Sequence, residues 1–503
     1  MHIKQMTFKT KVTRGLKWQA IKIGGKQLLS MVVFTTLARL LDPSAFGLVA
    51  LVSVYSYFAS MLADFGIGSA LVQRKSLEKA HIDAAFWFNG ACNVLLCLST
   101  ILLAGPIAHL MGEPKLTPLL RWSSLGLVFS AASSVQAKLF VKDMDFRRPT
   151  IRTLVANAVG GAVGVGMALT GYGVWALVGQ LLVGNLAGTV VICAASPYRP
   201  SLSFSMKHLR ELMGVGSSVF ANALIWFFSS RLDQLVIGRF AGVPALGLYV
   251  ISTKLPEMAK AAIQQPIMDV SVPAMAGLQD NHKKMRDVIY RGMEHNALIM
   301  CAVFVGIAAI SKDLVPFLFG AKWANAAFLC SLLCLYALGN ALQIFFYPAL
   351  LASGVTGKYV LLNLGYATGV LIACLVGIQF GTQYLVLGLI INSHVLLVPG
   401  LILLRKRIGL CPTHYYRPCI SPALGAMLMW IVVWTLRSVL PIALAPAVKI
   451  TIEIAAGGSM YLIFQYYFNR LALQSLISTI CQTVGLRSKY SLPHASVPLS
   501  RQS

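Results

Sequence analysis

Apolar runs of about 20 residues, parted by short polar breaks, recur along almost the whole chain. A helix rising 1.5 Å per residue needs about 20 such residues to cross the ~30 Å hydrocarbon core of a bilayer. The runs fall near 15–40, 44–72, 84–111, 115–138, 150–170 and 173–195. After a break they resume near 211–237, 244–272, 288–311, 324–352, 359–380, 383–404, 419–440 and 446–468. They predict an all-α integral membrane protein with about fourteen transmembrane helices.

The longest break is 196–211 (SPYRPSLSFSMKHLRE). Pro197 and Pro200 stop a helix, and 201–205 alternates polar with apolar, so a linker leading into an interfacial helix is expected. The chain then divides into a six-helix bundle at 1–195, the cytoplasmic linker at 196–211 and a second six-helix bundle at 212–408. Two further helices at 409–468 and a cytoplasmic tail at 469–503 follow.

The two bundles carry an internal repeat. Residues 39–48 read RLLDPSAFGL and residues 239–248 read RFAGVPALGL, with Arg, Ala, Gly and Leu at the same spacing. A weaker echo, HLMG at 109–112 and FLFG at 317–320, ends a third helix in each bundle. Both bundles start on the same side, so this is a parallel repeat about the membrane normal, an arrangement that places substrate between the halves. Gly160/Gly164 and Gly184/Gly188 are expected to allow close helix packing.

Composition agrees with the pattern. The chain is 57% hydrophobic and 12% charged, with mean hydropathy +0.73; soluble domains run at roughly 45–50% and about 25%. The net charge of +26 would suit nucleic acid if it lay in one solvated domain. Instead the Lys and Arg residues concentrate in alternate loops and in both tails, which places both termini in the cytoplasm and excludes a nucleic-acid partner. Lys22 and Lys26 interrupt the first apolar run, so it reads as a first span, not a secretory leader. Ten cysteines are scattered through apolar runs without metal-ligand spacing, so no metal or cofactor is expected. No GxSxG, HExxH or P-loop is present, so neither an enzyme nor a self-contained ATP-driven pump is expected.

The chemistry must then lie in the intramembrane charges, each costing at least ~2.5–3.5 kcal/mol near the bilayer centre. Lys22 and Lys26 share one face of the first helix, Lys26 near mid-membrane; snorkelling to the surface is the competing role. Arg231 and Asp233 lie in the seventh helix, two residues apart and therefore expected to have other partners. Lys254 and Glu257, spaced to pair, lie in the eighth helix with Lys260 beyond them. Asp64 lies in the second helix, where Asp64-Phe65-Gly66 reads either as an ion site or as a helix break. Arg39 and Arg239 read as interface anchors. Lys22, Lys26, Lys254, Arg231 and Lys260 make the buried set mainly cationic, suited to a phosphate or pyrophosphate group. Asp64, Asp233 and Glu257 are candidates for ion coupling or charge pairing.

The hairpin 39–48, the linker SLSFSMKHLRELMGVG and RLDQLVIGRFAGVPALGLYVISTKLPEM together resemble the polysaccharide exporters of the multidrug/oligosaccharidyl-lipid/polysaccharide flippase superfamily, and within them the WzxC-like subgroup. The resemblance covers roughly residues 11–404. It implies two six-helix bundles plus two helices, at the bacterial inner membrane, flipping undecaprenyl-pyrophosphate-linked oligosaccharide by alternating access. It also implies cationic residues of the first and eighth helices holding the pyrophosphate, here Lys22, Lys26 and Lys254. Polysaccharide polymerase and glycosyltransferases are the implied protein partners. A multidrug exporter on the same fold and a non-transporting scaffold of an assembly complex are the alternatives.

Overall fold

The computed structural model describes residues 8–74, 76–441 and 444–484, with backbone only for residues 8–17, 19–23, 215, 218, 356 and 479–484. Every regular element among the described residues is a helix. Eleven of these helices are long and apolar enough to cross a membrane, or twelve if the pair Met206–Gly214 and Val219–Phe240, bent by 55°, is one span. About fourteen were expected. The expected first and eighth spans fall on helices Phe8–Leu40 and Val243–Ala276, of 33 and 34 residues. Neither counts among the eleven; the latter carries Lys254, Glu257, Lys260 and Asp269.

One local departure has a clear cause. The run expected at 44–72 is two helices, Pro43–Asp64 and Ile67–Gln73, because Phe65 and Gly66 are both left-handed, with φ of 43° and 74°. Asp64-Phe65-Gly66 is therefore the break. The helix expected after the linker is the start of Met206–Phe240, and Met206–Gly214 is set at 55° to Val219–Phe240.

The chain forms two compact units. The first comprises Met1–Met258, Val315–Cys330 and Val360–Asn392; the second comprises Ala259–Leu314, Ser331–Tyr359 and Ser393–Ser503. Inside the first unit the repeated hairpins meet each other. A Cβ built on Gly47 would sit 2.0 Å from the Val243 carbonyl oxygen, and one on Gly247 would sit 1.9 Å from the Pro43 carbonyl oxygen. Any side chain there would collide with backbone, so helices Pro43–Asp64 and Val243–Ala276 touch reciprocally through their glycines.

Arg39 anchors this region. Its Nε and Nη2 donate to the carbonyls of Leu318 and Phe317 at 2.9 and 2.6 Å. A cation at the C-terminal end of a helix satisfies orphan carbonyls and opposes the helix dipole. Trp323, fully buried, donates from Nε1 to the Ala38 carbonyl at 2.8 Å and lies edge-on to Phe46. Arg239 occupies the related position beside Gly112, with Nη1 3.7 Å from where a Cβ would stand.

The linker is pinned as well. Asp83, 1% exposed, accepts from the Tyr198 hydroxyl at 2.5 Å, the Ser201 backbone N–H at 3.3 Å, the Ser203 hydroxyl at 3.3 Å and also the Ser201 hydroxyl. Trp87 donates to the Ser201 carbonyl at 2.7 Å. Burial first, then the neighbouring Asp83 carboxylate, pushes the Tyr198 phenol far above its ordinary pKa, so it remains a donor.

Two predictions test these contacts. Gly47→Ala and Gly247→Ala each destabilise the protein by roughly 3 kcal/mol or more in detergent thermal unfolding, whereas Gly24→Ala, with nothing within 4 Å of its Cβ, leaves it unchanged or raises it. Asp83→Ala strands up to four linker donors, so chymotrypsin cleaves after Tyr198 in the variant while wild type resists under the same conditions.

Candidate functional site: an intramembrane charge cluster

The site is built where helices Phe8–Leu40 and Val243–Ala276 pack together. Gln27 Nε2 donates to the Met258 carbonyl at 3.0 Å, and Lys254 Nζ donates to Ser30 Oγ at 3.4 Å. Lys254 Nζ also lies 4.4 Å from the centre of the Phe34 ring. Gln27, Ser30 and Phe34 follow helical spacing, so one stripe of the first helix receives one stripe of the other. The half-buried ammonium is held by a hydroxyl and an aromatic face, a cation–π contact that replaces part of its lost hydration.

Lys26 and Glu257, both exposed, lie on the same two helices as the Lys254 contact, and Arg231 and Asp233 lie on helix Met206–Phe240. The Asp233 carboxylate accepts from the Tyr249 hydroxyl and from the Gln234 backbone N–H, the latter at 2.8 Å. Lys26, Arg231, Asp233, Lys254 and Glu257 all belong to the first unit. Three basic residues, Lys26, Arg231 and Lys254, and two acidic ones, Asp233 and Glu257, lie on these helices.

Some expectations change here. Glu257 and Lys254 form no direct ion pair among the described residues. Arg231 and Asp233, two residues apart, form no ion pair among the described residues; Tyr249 and Gln234 supply the direct bonds to Asp233. Asp64 shares none of these contacts. Its Oδ1 lies beside Gly68, together with the Lys138 side chain. Lys260 is exposed and belongs to the second unit. Lys22 lies on the first helix, but its side chain is outside the described residues.

Within the second unit stands a charged group that the sequence reading overlooked. Arg437 Nε lies 2.7 Å from Asp313 Oδ2 and 3.2 Å from Glu453 Oε1, and Lys449 Nζ lies 2.9 Å from Asp313 Oδ1. Arg437 Nη2 donates to the Ala309 carbonyl at 3.0 Å. Glu453 is fully buried. Two cations meet two anions, so the group is neutral. It ties helices Pro412–Val439 and Pro446–Phe468 to the segment at 309–313. The available signal was Glu453, a lone carboxylate in an apolar run.

A third ionic cluster anchors the linker's far end. Arg74 pairs with Glu211 at 2.6 Å, His81 Nε2 lies 3.2 Å from the same carboxylate oxygen, and His208 Nε2 lies 3.5 Å from Glu78. Glu78, His81 and His208 have the ligand types and proximity for a metal ion. Their groups already have partners: the Glu78 backbone N–H donates to His81 Nδ1 and the Ser205 hydroxyl lies against His208 Nδ1.

A polysaccharide biosynthesis protein family model matches residues 36–328, more than half of the chain. The chain belongs to that family. The match spans both repeated hairpins, the pinned linker and every described member of the charge cluster except Lys26. The succinoglycan biosynthesis transport protein ExoT of Rhizobium meliloti is 26% identical over 63% of this chain and 64% of its own length. This chain therefore spans about two thirds of that relative. The lipopolysaccharide biosynthesis protein WzxC of Escherichia coli is 27% identical over 66% of this chain and 68% of its own. Among solved structures, the lipid II flippase MurJ in an inward closed conformation superposes with a TM-score of 0.74, at 15% identity, over 90% of this chain and 98% of that one. Family member and multi-pass membrane protein, the chain has the fold of that flippase.

The second charged group gives a prediction. Arg437→Met leaves Glu453 buried without its cation and destabilises the protein by about 3–5 kcal/mol. The double variant Arg437→Met/Glu453→Leu keeps the Lys449–Asp313 pair balanced and loses less, a non-additivity measurable by thermal unfolding in detergent.

Proposed function

We propose that this protein flips an undecaprenyl-pyrophosphate-linked oligosaccharide across the bacterial inner membrane for exopolysaccharide or lipopolysaccharide biosynthesis. The observation that carries the reading is Lys254, half-buried and held against Ser30 and Phe34 of the first helix, in a member of a polysaccharide biosynthesis protein family. Membership and the names of the relatives support the pathway; the cluster supplies a reason for an anionic group to enter.

In this mechanism Lys254 and Lys26 take the pyrophosphate, with Arg231 behind them. An ammonium offers three donors to phosphate oxygens without a fixed fork, which suits a group that must bind and leave. Phe34 and Ser30 hold Lys254 extended before substrate arrives, so little side-chain order is lost on capture. Asp233 and Glu257 limit the local positive field and keep release possible. The sugar follows the headgroup, and the prenyl chain stays in lipid. An inside-negative potential favours outward movement of an anion by ~2.3 kcal/mol per charge per 100 mV, which biases alternating access without ATP.

Polymer export in cells tests the assignment. Lys254→Ala lowers export roughly tenfold or more at normal protein level, Lys26→Ala lowers it less, and Lys254→Arg retains most of it. Normal export by both alanine variants would sink the site.

The same reading puts both termini and the loop before Pro412 in the cytoplasm. Cys411 in that loop reports on it. Thr413 and then His414, by hydrogen bonding, hold its thiol down to about 6. The thiolate is the reactive species, so maleimide labelling of a variant keeping only Cys411 rises up to about pH 6 and levels off above it. A membrane-impermeant maleimide labels this variant in inverted vesicles and not in intact cells; labelling in intact cells reverses the orientation.

A further inference from the structure

The first unit also contains a cavity of about 280 Å³ that the charge cluster does not use, near the lower end of ligand pockets at roughly 300–1,000 Å³. Its lining has no ionisable group apart from the Tyr57 phenol. Three hydroxyls come from Ser53, Ser56 and Ser60, spaced i, i+3 and i+7 along Pro43–Asp64, and so lie on one face of that helix. Ser130 reaches the cavity from Leu116–Lys142 and Asn185 from Val174–Ala195. Asn185 is carried over Gly126, where a Cβ would stand 3.1 Å from its Nδ2.

Two properties separate this cavity from ordinary helix packing. A serine inside a membrane helix normally returns its hydroxyl to a carbonyl one turn earlier, as Thr36 and Thr100 do here. Among the described residues, Ser53, Ser56, Ser60, Ser130 and Asn185 of the lining make no side-chain hydrogen bond, whereas Ser123, also in the lining, returns its hydroxyl to the Leu120 carbonyl at 3.1 Å. At its edge, exposed Tyr57 and exposed Trp226 hold their ring centres 5.9 Å apart. Hydroxyl and amide groups that both donate and accept, beside exposed aromatic faces and without charge, match a neutral sugar ring: hydroxyls around its rim, C–H groups on its face. A uronate or phosphate would find no counter-charge.

We infer that this cavity is a subsite for a neutral sugar residue, separate from the pyrophosphate-binding cluster. This rests on the flippase reading above, to which it adds a division of labour: the cationic cluster takes the charged linkage, and the serine-lined cavity takes a monosaccharide-sized part of the glycan.

The test uses the full chain in lipid nanodiscs and two separate probes, each titrated against tryptophan fluorescence and saturation-transfer NMR. The neutral trisaccharide maltotriose reports the cavity, and farnesyl pyrophosphate reports the cationic cluster. Maltotriose binds saturably, and trigalacturonate does not compete with it. Ser56→Val and Asn185→Leu each weaken maltotriose roughly five- to tenfold and leave farnesyl pyrophosphate unchanged. Ser60→Ala, the mildest change, weakens it in the same direction, and thermal unfolding within a few degrees of wild type certifies each variant as folded. No saturable maltotriose binding, equal binding in folded Ser56→Val and Asn185→Leu, or trigalacturonate competing as an equal would each overturn the subsite. Failure of farnesyl pyrophosphate alone, with maltotriose still mapped to the serines, overturns the cationic reading and leaves the cavity assigned.

Discussion

Two backbone carbonyls lie where side chains of Gly47 and Gly247 would otherwise stand, and the functional region depends on that approach. Helices brought this close gain dispersion along their length, which in lipid replaces the hydrophobic drive available in water. The contact fixes Val243–Ala276 at its start, and a fixed start sets where Lys254, three turns on, comes to rest. Arg39 and Trp323 hold the neighbouring carbonyls. Rigid, fully satisfied packing at one end therefore positions a charge farther along.

The charges divide into two kinds by how completely they are matched. Around Arg437 and Glu453 every cation has its anion, and the group behaves as a fastener. Around Lys254 the ammonium leans on a ring and a hydroxyl. Lys254 thus has neutral partners where Arg437 has carboxylates. The Asp83 pin follows the first pattern with neutral donors: one carboxylate, fully occupied, immobilising a linker that would otherwise be a flexible tether.

Much of this was legible in the chain. Apolar run length exposed the helices, and the spacing shared by 39–48 and 239–248 singled out the residues that turn out to touch. Lys254 stood out by depth and sign. The failures have physical causes. Hydropathy does not register the left-handed Phe65–Gly66 step, so one run became two helices. Spacing arguments treat neighbours on one helix, so they paired Lys254 with Glu257 and could not foresee Phe34 against Lys254 or Tyr249 against Asp233, each from another helix. The group around Arg437 escaped notice because Asp313 and Glu453 reach it from other helices. Serines score as mildly polar filler, and only three-dimensional placement shows that some of them leave their own helix unbonded.

The glycine contact is reciprocal. Gly47 meets the carbonyl of Val243, and Gly247 meets that of Pro43, its counterpart one repeat earlier. A surface that recognises its own copy is what a symmetric homodimer requires. Neither glycine can take a side chain until the opposite backbone moves away, so the two positions are constrained together.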